Sequence, residues 1–421
     1  MAAGRDDGGG RPLCADPGDV FGWPKTFCRT SCLSPNMILP RALPNTTYEA
    51  DEEHLAATTL PGSAYSDPAV LQSEFQRIFA RDWLCVGREE QIPEHGGFFT
   101  RSLGTESVLV VRGKDGEARA FHNVCRHRGT RIVDRESGTT LKSVACRYHA
   151  WTYSTEGGLV GAPHTEDLVD FRKEDFGLFP VRLERWGGFL WMNLDPEAPP
   201  LHRDFGEFFT RFDRFSLADL RMGARKVYEV DANWKILIEN YSECYHCAPV
   251  HPDLNRITHY TTGANDAFMA RGDGRAKFGG GYMTFNKDYQ SMTWTGYTNR
   301  PPLEAMTEED RRRIYYFVLF PNLFFSLHPD FLMVHTVWPA SPSHSRIECE
   351  WYFDSRTMAR DDFDASDAVD LWDLINRQDW SVCEDTQRGV SSRRWTGGRL
   401  SNQERMVHDF DKYYTWRMRD V

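Results

Sequence analysis

The stretches Cys125-Arg-His-Arg-Gly129 and Cys146-Arg-Tyr-His-Ala-Trp151 each place one cysteine close to one histidine. Together they read Cys-x-His and Cys-x-x-His, with eighteen residues between the two pairs. The candidate ligands are therefore Cys125, His127, Cys146 and His149. Two Cys and two His commonly hold one tetrahedral zinc ion. The same set holds a Rieske [2Fe–2S] cluster, in which two Cys bind one iron and two His bind the other. Spacing alone therefore leaves three interpretations open: a cluster, a zinc ion, and no metal.

Details around the two loops favour the cluster. Each loop supplies one Cys and one His, so the two loops can hold a cluster from opposite sides. Arg128-Gly129 directly follows the first pair, and a glycine there lets the backbone come close to a sulfur. Tyr148, Trp151 and Tyr153 surround the second pair and offer apolar cover and hydroxyl donors, which tune the potential of a cluster.

The composition indicates a globular enzyme rather than a nucleic-acid-binding or membrane protein. The 421 residues carry 50 basic and 61 acidic side chains, a net charge of −11, with the two signs interspersed. No apolar run approaches the roughly 20 residues of a membrane-spanning helix, and no export signal is recognisable. The ten cysteines are scattered, which predicts reduced thiols and a cytoplasmic location. Cys244 and Cys247 are expected to be thiols as well, with redox or zinc chemistry as the alternative.

Composition and periodicity divide the chain into four parts. Residues 1–45 are rich in Gly and Pro and predict a flexible leader. Residues 46–83 predict an N-terminal helical segment that packs on the catalytic domain, with one helix over about 61–83. Short apolar runs between Gly-rich turns predict a small antiparallel β domain over 84–198, with both ligand loops between strands. Residues 199–421 predict a second domain, in which residues 314–353 are expected to form antiparallel strands ahead of a long helix over about 366–391.

The strongest pattern in the second domain is Glu243-Cys-Tyr-His246-Cys-Ala-Pro-Val-His251. At about 100° per residue, positions 233–247 predict a helix with Glu243 and His246 away from its apolar face. A non-haem ferrous site takes two His and one carboxylate on one face and leaves positions open for oxygen and substrate. His246 and His251 can supply the two histidines, and the alternative is that they only cap or pack the helix end.

Asp379 is the predicted third ligand of this site. It shares a helix face with the apolar side chains of Trp372 and Ile375. A carboxylate within an apolar stripe is costly unless it is neutral or paired with a cation, and ferrous iron supplies a cation. Glu384 and Asp385 face other directions and are expected to be solvated. An ion pair within the helix is the alternative for Asp379.

The two ligand loops resemble those of the catalytic α subunits of Rieske-type non-haem iron oxygenases. The spacing of Glu243, His246 and His251 is similar to the mononuclear iron motif of that family, and Asp379 matches the acid that completes its triad. Within the family, Glu-Asn-Tyr-Ser-Glu-Cys-Tyr-His-Cys over 239–247 looks most like the glycine betaine demethylase, choline and carnitine monooxygenase branch. The resemblance extends over about residues 55–415.

The resemblance implies an α+β fold: a small antiparallel β Rieske domain, and a helix-grip catalytic domain with an antiparallel sheet around a long helix. It also implies one [2Fe–2S] cluster on the four Cys and His ligands and one Fe(II) on His246, His251 and Asp379. Glu243 would bridge His246 to His149 of a neighbouring subunit in a homotrimer, although many ring-dihydroxylating relatives have Asp there. A separate flavin and iron–sulfur reductase would deliver electrons from NAD(P)H, with O2 as co-substrate.

The implied reaction is the hydroxylation of a substrate C–H, expected on an N-methyl group of a quaternary ammonium compound with release of formaldehyde. Aromatic-ring hydroxylation by a mono- or dioxygenase is the alternative, because aromatic side chains accept both arenes and trimethylammonium groups. The aromatic set in question, expected mostly in the core, is Tyr282, Trp294, Tyr316, Phe320, Phe324, Phe331 and Tyr352. Alternatives of other classes are a Rieske electron carrier without oxygenase activity and a zinc-stabilised binding module.

Overall fold

The computed structural model describes residues 52–139, 142–267 and 277–419. The predicted flexible leader over 1–45 lies outside the described residues. In these three ranges, no helix is both long enough and apolar enough to cross a bilayer.

Three short helices open the described chain: α1 (Glu52–Leu55), α2 (Ser63–Ser66) and α3 (Pro68–Glu74), with a π-helical turn at Phe75–Phe79. The prediction of a single helix over about 61–83 is therefore wrong. Asp67 is extended, with φ −84° and ψ 121°, because the proline that follows it disfavours the helical region. Its side chain caps α3 instead and accepts a hydrogen bond from the Ala69 N–H at 2.8 Å.

The small β domain consists of short antiparallel strands. They are β1 (Leu84–Arg88), β2 (Phe98–Leu103), β3 (Glu106–Arg112), β4 (Ala118–His122), β5 (Ser137–Gly138), β6 (Val144–Ala145), β7 (Thr152–Tyr153), β8 (Leu159–Gly161), β9 (Pro180–Trp186) and β10 (Phe189–Asn193). One sheet has the order β1-β10-β9-β4-β3-β2-β5, and β6-β7-β8 form a second sheet. The first ligand loop follows β4 and the second joins β6 to β7, so both loops lie between strands.

A seven-stranded antiparallel sheet forms the larger domain. Its strands are β11 (Leu220–Val230), β12 (Ala264–Ala267), β13 (Phe278–Thr284), β14 (Arg313–Leu319), β15 (Leu323–Leu327), β16 (Leu332–Ser341) and β17 (His344–Asp354). They pair in the order β11-β17-β16-β15-β14-β13-β12. The helices are α4 (Leu201–Phe212), α5 (Trp234–Tyr241), α6 (Cys247–Val250), α7 (Pro252–Ile257), α8 (Ser355–Met358), α9 (Ser366–Val390) and α10 (Arg405–Met418).

The long helix α9 packs against the face of this sheet. Ile375 and Trp372 belong to the main apolar core. Asn376 adds polar contacts, since its Oδ1 lies 3.1 Å from Nε2 of His335 on β16 and its amide donates to the Tyr228 hydroxyl of β11 at 3.4 Å. An antiparallel sheet around one long helix is the predicted helix-grip arrangement, and the α+β class is confirmed.

The helix predicted over 233–247 ends earlier than the sequence indicates. α5 stops at Tyr241, and residues 242–246 form a turn that leads into α6. The Glu243 carboxylate accepts hydrogen bonds from the backbone N–H groups of Tyr245 and His246. It therefore caps donors at the start of the next turn, as a side chain does at a helix N-terminus. Glu243 and His246 consequently lie on a compact turn rather than along one helix face.

A buried ion pair joins the N-terminal segment to the catalytic domain. Lys235 Nζ lies 2.6 Å from Oε1 of Glu74, and both side chains are fully buried. The Tyr414 hydroxyl and the Trp234 indole N–H also donate to Glu74, each at 2.7 Å. A buried charge pair is tolerated when further hydrogen bonds satisfy it. These contacts hold α3, α5 and α10 together.

Candidate metal centres

The two ligand loops of the β domain have the same backbone geometry. In each loop, the cysteine carbonyl accepts a hydrogen bond from the N–H four residues later: Gly129 to Cys125 at 3.0 Å and Ala150 to Cys146 at 2.9 Å. Gly129 and Ala150 both have positive φ, 75° and 58°. Glycine adopts this conformation freely, whereas alanine adopts it at a cost. Two matching tight turns thus present one cysteine each.

The four predicted cluster ligands lie in two kinds of environment. Cys125 and Cys146 are buried thiols within an apolar cluster of side chains. His127 and His149 are exposed, and their ring centroids lie 4.6 Å apart. This separation of sulfurs from imidazoles suits a [2Fe–2S] cluster, in which one iron takes both sulfurs and the other takes both imidazoles. The residues therefore fit the cluster, and their assignment as its ligands stays a prediction.

Neighbouring side chains support these ligands. Trp151 stacks on His127 with ring centroids 4.9 Å apart, and the Tyr153 hydroxyl lies 3.4 Å from Sγ of Cys125. Loss of hydration, and after it the electrostatic effect of His127 and Arg128, lowers the pKa of His149. A lower pKa favours the neutral imidazole, which is the form that binds metals.

His246, His251 and Asp379 converge in the second domain. One ligand atom of each residue lies within 4.8 Å of the others. Oδ1 of Asp379 is 3.2 Å from Nε2 of His246 and 2.8 Å from Nε2 of His251. Two imidazoles and one carboxylate on one side of a space are the donor set of non-haem ferrous sites. The residues that the sequence predicts as iron ligands thus lie together in a geometry that fits the ion.

Burial and mutual contacts set the protonation of this group. Burial lowers the pKa of His246, but hydrogen bonds to Asp379 and Glu243 outweigh it and raise the pKa to about 10. Burial raises the pKa of Asp379, but hydrogen bonds to His246 and His251 outweigh it and lower the pKa to about 2. The His246 imidazolium is therefore paired with the Asp379 carboxylate in the absence of a metal ion. A bound divalent cation would take the place of the proton on His246.

Each histidine is oriented by a second acceptor. Nδ1 of His246 lies 2.5 Å from Oε1 of Glu243, and Nδ1 of His251 lies 2.8 Å from Oε1 of Gln378. An acceptor at Nδ1 keeps the proton there and leaves Nε2 for a metal. Gln378 was missed in the sequence, although its place next to Asp379 on α9 is a usable signal.

The turn that carries Glu243 reaches the protein surface. The Glu243 side chain is 13% exposed, and the neighbouring Tyr245 is 57% exposed. Glu243 therefore lies between His246 and the protein surface.

The structure joins Cys244 and Cys247 by a disulfide, so the prediction of two free thiols is wrong here. The turn over 242–246 brings their Cα atoms to 4.9 Å, within the range that a disulfide bridges. Cys85, Cys349 and Cys383 are free and buried.

A cavity of about 170 Å³ adjoins the converging residues. Its lining includes Glu243, His246, His251 and Asp379, the aromatic side chains of Tyr241, Tyr260, Tyr282, Tyr316 and Trp372, and Arg405. Of the aromatic set noted in the sequence, Tyr282 and Tyr316 line this cavity. Trp294 is 42% exposed, and the other four are buried in the core.

Two family models match the chain in the order of its domains. Residues 82–172 match the Rieske [2Fe-2S] domain, and residues 217–420 match the catalytic domain of ring hydroxylating alpha subunits. The chain belongs to the family of Rieske non-haem iron oxygenases, as a catalytic α subunit. Its cofactors are accordingly a Rieske [2Fe–2S] cluster and mononuclear iron, with O2 as co-substrate. It is the terminal oxygenase component of a system in which a reductase supplies electrons for the oxidation of a small molecule.

Several similar proteins of this family are oxygenases of quaternary ammonium compounds. The glycine betaine monooxygenase oxygenase subunit of Pseudomonas aeruginosa strain UCBPP-PA14 is 30% identical over 384 residues, 86% of this chain and 89% of the relative. The carnitine monooxygenase oxygenase subunit of Acinetobacter pittii is 29% identical over 355 residues, 82% and 88% of the two chains. A crystal structure of a quaternary ammonium Rieske monooxygenase superimposes with a TM-score of 0.72 at 25% identity, over 86% of this chain and 96% of the other.

Proposed function

We propose that this oxygenase hydroxylates an N-methyl group of a betaine-like quaternary ammonium compound and thereby demethylates it. The named relatives that act on glycine betaine and carnitine support this choice of substrate. The structural observation that carries the proposal is the small aromatic cavity beside His246, His251 and Asp379.

The size and lining of the cavity favour a compact cation. A cavity of about 150 Å³ holds one benzene molecule, so about 170 Å³ suits glycine betaine better than two linked or fused aromatic rings. Tyr260, Tyr316 and Trp372 offer π faces and edges to a trimethylammonium group, an attraction of roughly 0.5–2 kcal/mol per favourable pair. Glu243 and Asp379 add negative charge to the same lining.

The proposed reaction balances as a monooxygenation. An N-methyl group, O2, two electrons and two protons give an N-hydroxymethyl group and water. Cleavage of the C–N bond then releases formaldehyde, a proton and the tertiary amine, which keeps the electron pair. The metal centres, when bound, supply electron transfer and oxygen activation. The residues of this chain bind and orient the substrate in the cavity.

We further propose the ligand roles that the sequence predicts. Two Cys and two His bind the cluster: Cys125, His127, Cys146 and His149. His246, His251 and Asp379 bind the iron. Glu243 accepts a hydrogen bond from His246 and has lone pairs left for the exposed imidazole of His149 in a neighbouring copy. That contact requires an oligomer, for which we propose a homotrimer in the cytoplasm, supplied by an NAD(P)H-dependent flavin and iron–sulfur reductase.

Formaldehyde release tests the substrate class. Purified protein with cluster and iron, a surrogate reductase and NADH should consume O2 and release formaldehyde in equal amounts from glycine betaine or carnitine. Biphenyl and naphthalene should yield no diol or phenol. Diol formation together with no formaldehyde would instead support the aromatic-ring hydroxylase.

A further inference from the structure

Arg405 places a cation in the wall of the substrate cavity. Among the described residues that line this cavity, it is the single lysine or arginine. Its side chain is 15% exposed, and its Nε lies 3.3 Å from Oδ1 of Asp409, one turn further along α10. Asp409 is itself nearly buried, with a 5% exposed side chain. The guanidinium is therefore held beside the cavity by a buried carboxylate.

Other polar groups line the same cavity. Tyr316 also lines it, and its buried hydroxyl makes no hydrogen bond with any described residue. Asn402 and Gln403 precede Arg405 in the lining, on a turn that Ser401 and Glu404 fix by a reciprocal capping box. The lining thus combines π faces and carboxylates, which suit a cation, with donors that suit an anion.

We propose that Arg405 binds a carboxylate of the substrate, so that the cavity selects a zwitterion over a quaternary ammonium compound that lacks an acid. The inference rests on the proposed function and deepens it by naming a specificity-determining residue. A guanidinium–carboxylate contact is charge-assisted and is favoured by a planar, forked geometry. Anchoring the carboxylate at Arg405 leaves the methylated nitrogen for the part of the cavity that His246 and Asp379 line.

The test compares glycine betaine with choline, which carries the same trimethylammonium group and a hydroxyl in place of the carboxylate. Calorimetric titration of the metal-loaded protein should show tighter binding of glycine betaine than of choline. In Arg405→Gln, affinity for glycine betaine should fall about 10- to 100-fold, while that for choline changes less than about threefold. KM for glycine betaine should rise accordingly, with a smaller effect on kcat.

Three controls separate the outcomes. Arg388→Gln, the same exchange at an arginine whose side chain is 68% exposed on α9, should change neither affinity. The double variant Arg405→Gln/Asp409→Asn also removes the Asp409 carboxylate, which Arg405→Gln alone leaves buried without its cation. The double variant should show the same loss of affinity, with the spectrum of the [2Fe–2S] cluster intact. Arg405→Lys keeps the charge and should recover part of the affinity.

The inference is overturned if wild-type protein binds both compounds equally, or if both Arg405→Gln and the double variant keep the wild-type preference. Failure of the proposed function has a different signature, since formaldehyde would then be absent whatever the binding affinities are.

Discussion

Asp379 Oδ1 is close to two imidazole nitrogens at once, and this shared contact explains why one carboxylate can sit in an otherwise apolar helix face. Its environment is almost closed, with the side chain 17% exposed. Without a positive partner, a buried carboxylate would become neutral. Its pKa instead lies at about 2, because the hydrogen bonds to His246 and His251 outweigh burial, which raises it.

Asp379→Ala should therefore remove the mononuclear iron and leave the cluster. Metal analysis should fall from about three irons per chain to about two, with two sulfides and an unchanged visible spectrum. Turnover should drop by about 100-fold or more, because an iron ligand is lost. Asp385→Asn, at a 71% exposed position of the same helix, should keep all three irons. A full iron content in Asp379→Ala would show that this carboxylate is not a ligand.

At the scale of elements, α5 shows both what local sequence can predict and where it stops. The pattern from Glu243 to His251 could be recognised because close spacing along the chain guarantees closeness in space, and Asp379 because a carboxylate conflicts with an apolar helix face. The end of α5 at Tyr241 was not found, because it depends on how the Glu243 side chain folds back onto two backbone N–H groups. Arg405 was missed for a different reason: only the packing of α10 places it beside the cavity.

Helix α5 also carries a buried acid, Glu239, whose protonation affects the stability of the fold. Glu239 accepts a hydrogen bond from the Tyr65 hydroxyl at 2.8 Å. Burial raises the pKa of Glu239 to about 7, while Tyr65 and Lys235 act in the opposite direction. A raised carboxyl pKa means that the folded state binds the proton more tightly than the unfolded chain. The stabilising contribution is full below the ordinary pKa of 4.5 and is lost as the pH rises through about 7.

Glu239→Gln keeps an acceptor for Tyr65 and removes the titration. Its melting temperature should exceed that of the wild type by several degrees at pH 8.5, corresponding to about 2–3 kcal/mol, and by much less at pH 5.5. Circular dichroism melts at both pH values measure the difference. Asp385→Asn should show no such pH dependence. A Glu239→Gln variant that is destabilised equally at both pH values would contradict the assigned pKa.

At the scale of the whole molecule, both candidate metal sites have groups at the protein surface. His127 and His149 are exposed on the β domain, and the Glu243 turn reaches the surface of the catalytic domain. The sequence predicts both domains because each has its own hydrophobic period and its own motif. The sequence indicates how copies of the chain assemble only through the family that it resembles, because an interface leaves no periodic pattern in a single chain.

A head-to-tail ring, in which the cluster of one copy serves the iron of the next, predicts complementation between two inactive chains. One chain would carry His149→Ala and keep its iron, and the other would carry Asp379→Ala and keep its cluster. Each variant alone should be inactive. Random assembly in equal amounts should restore about a quarter of wild-type turnover, because half of the iron sites are intact and half of those have a cluster-bearing neighbour.

Mixing pure homotrimers without subunit exchange, or combining both substitutions in one chain, should restore none. Electron transfer within a single chain would give no activity in the co-assembled sample either, and that result would refute the bridge between copies.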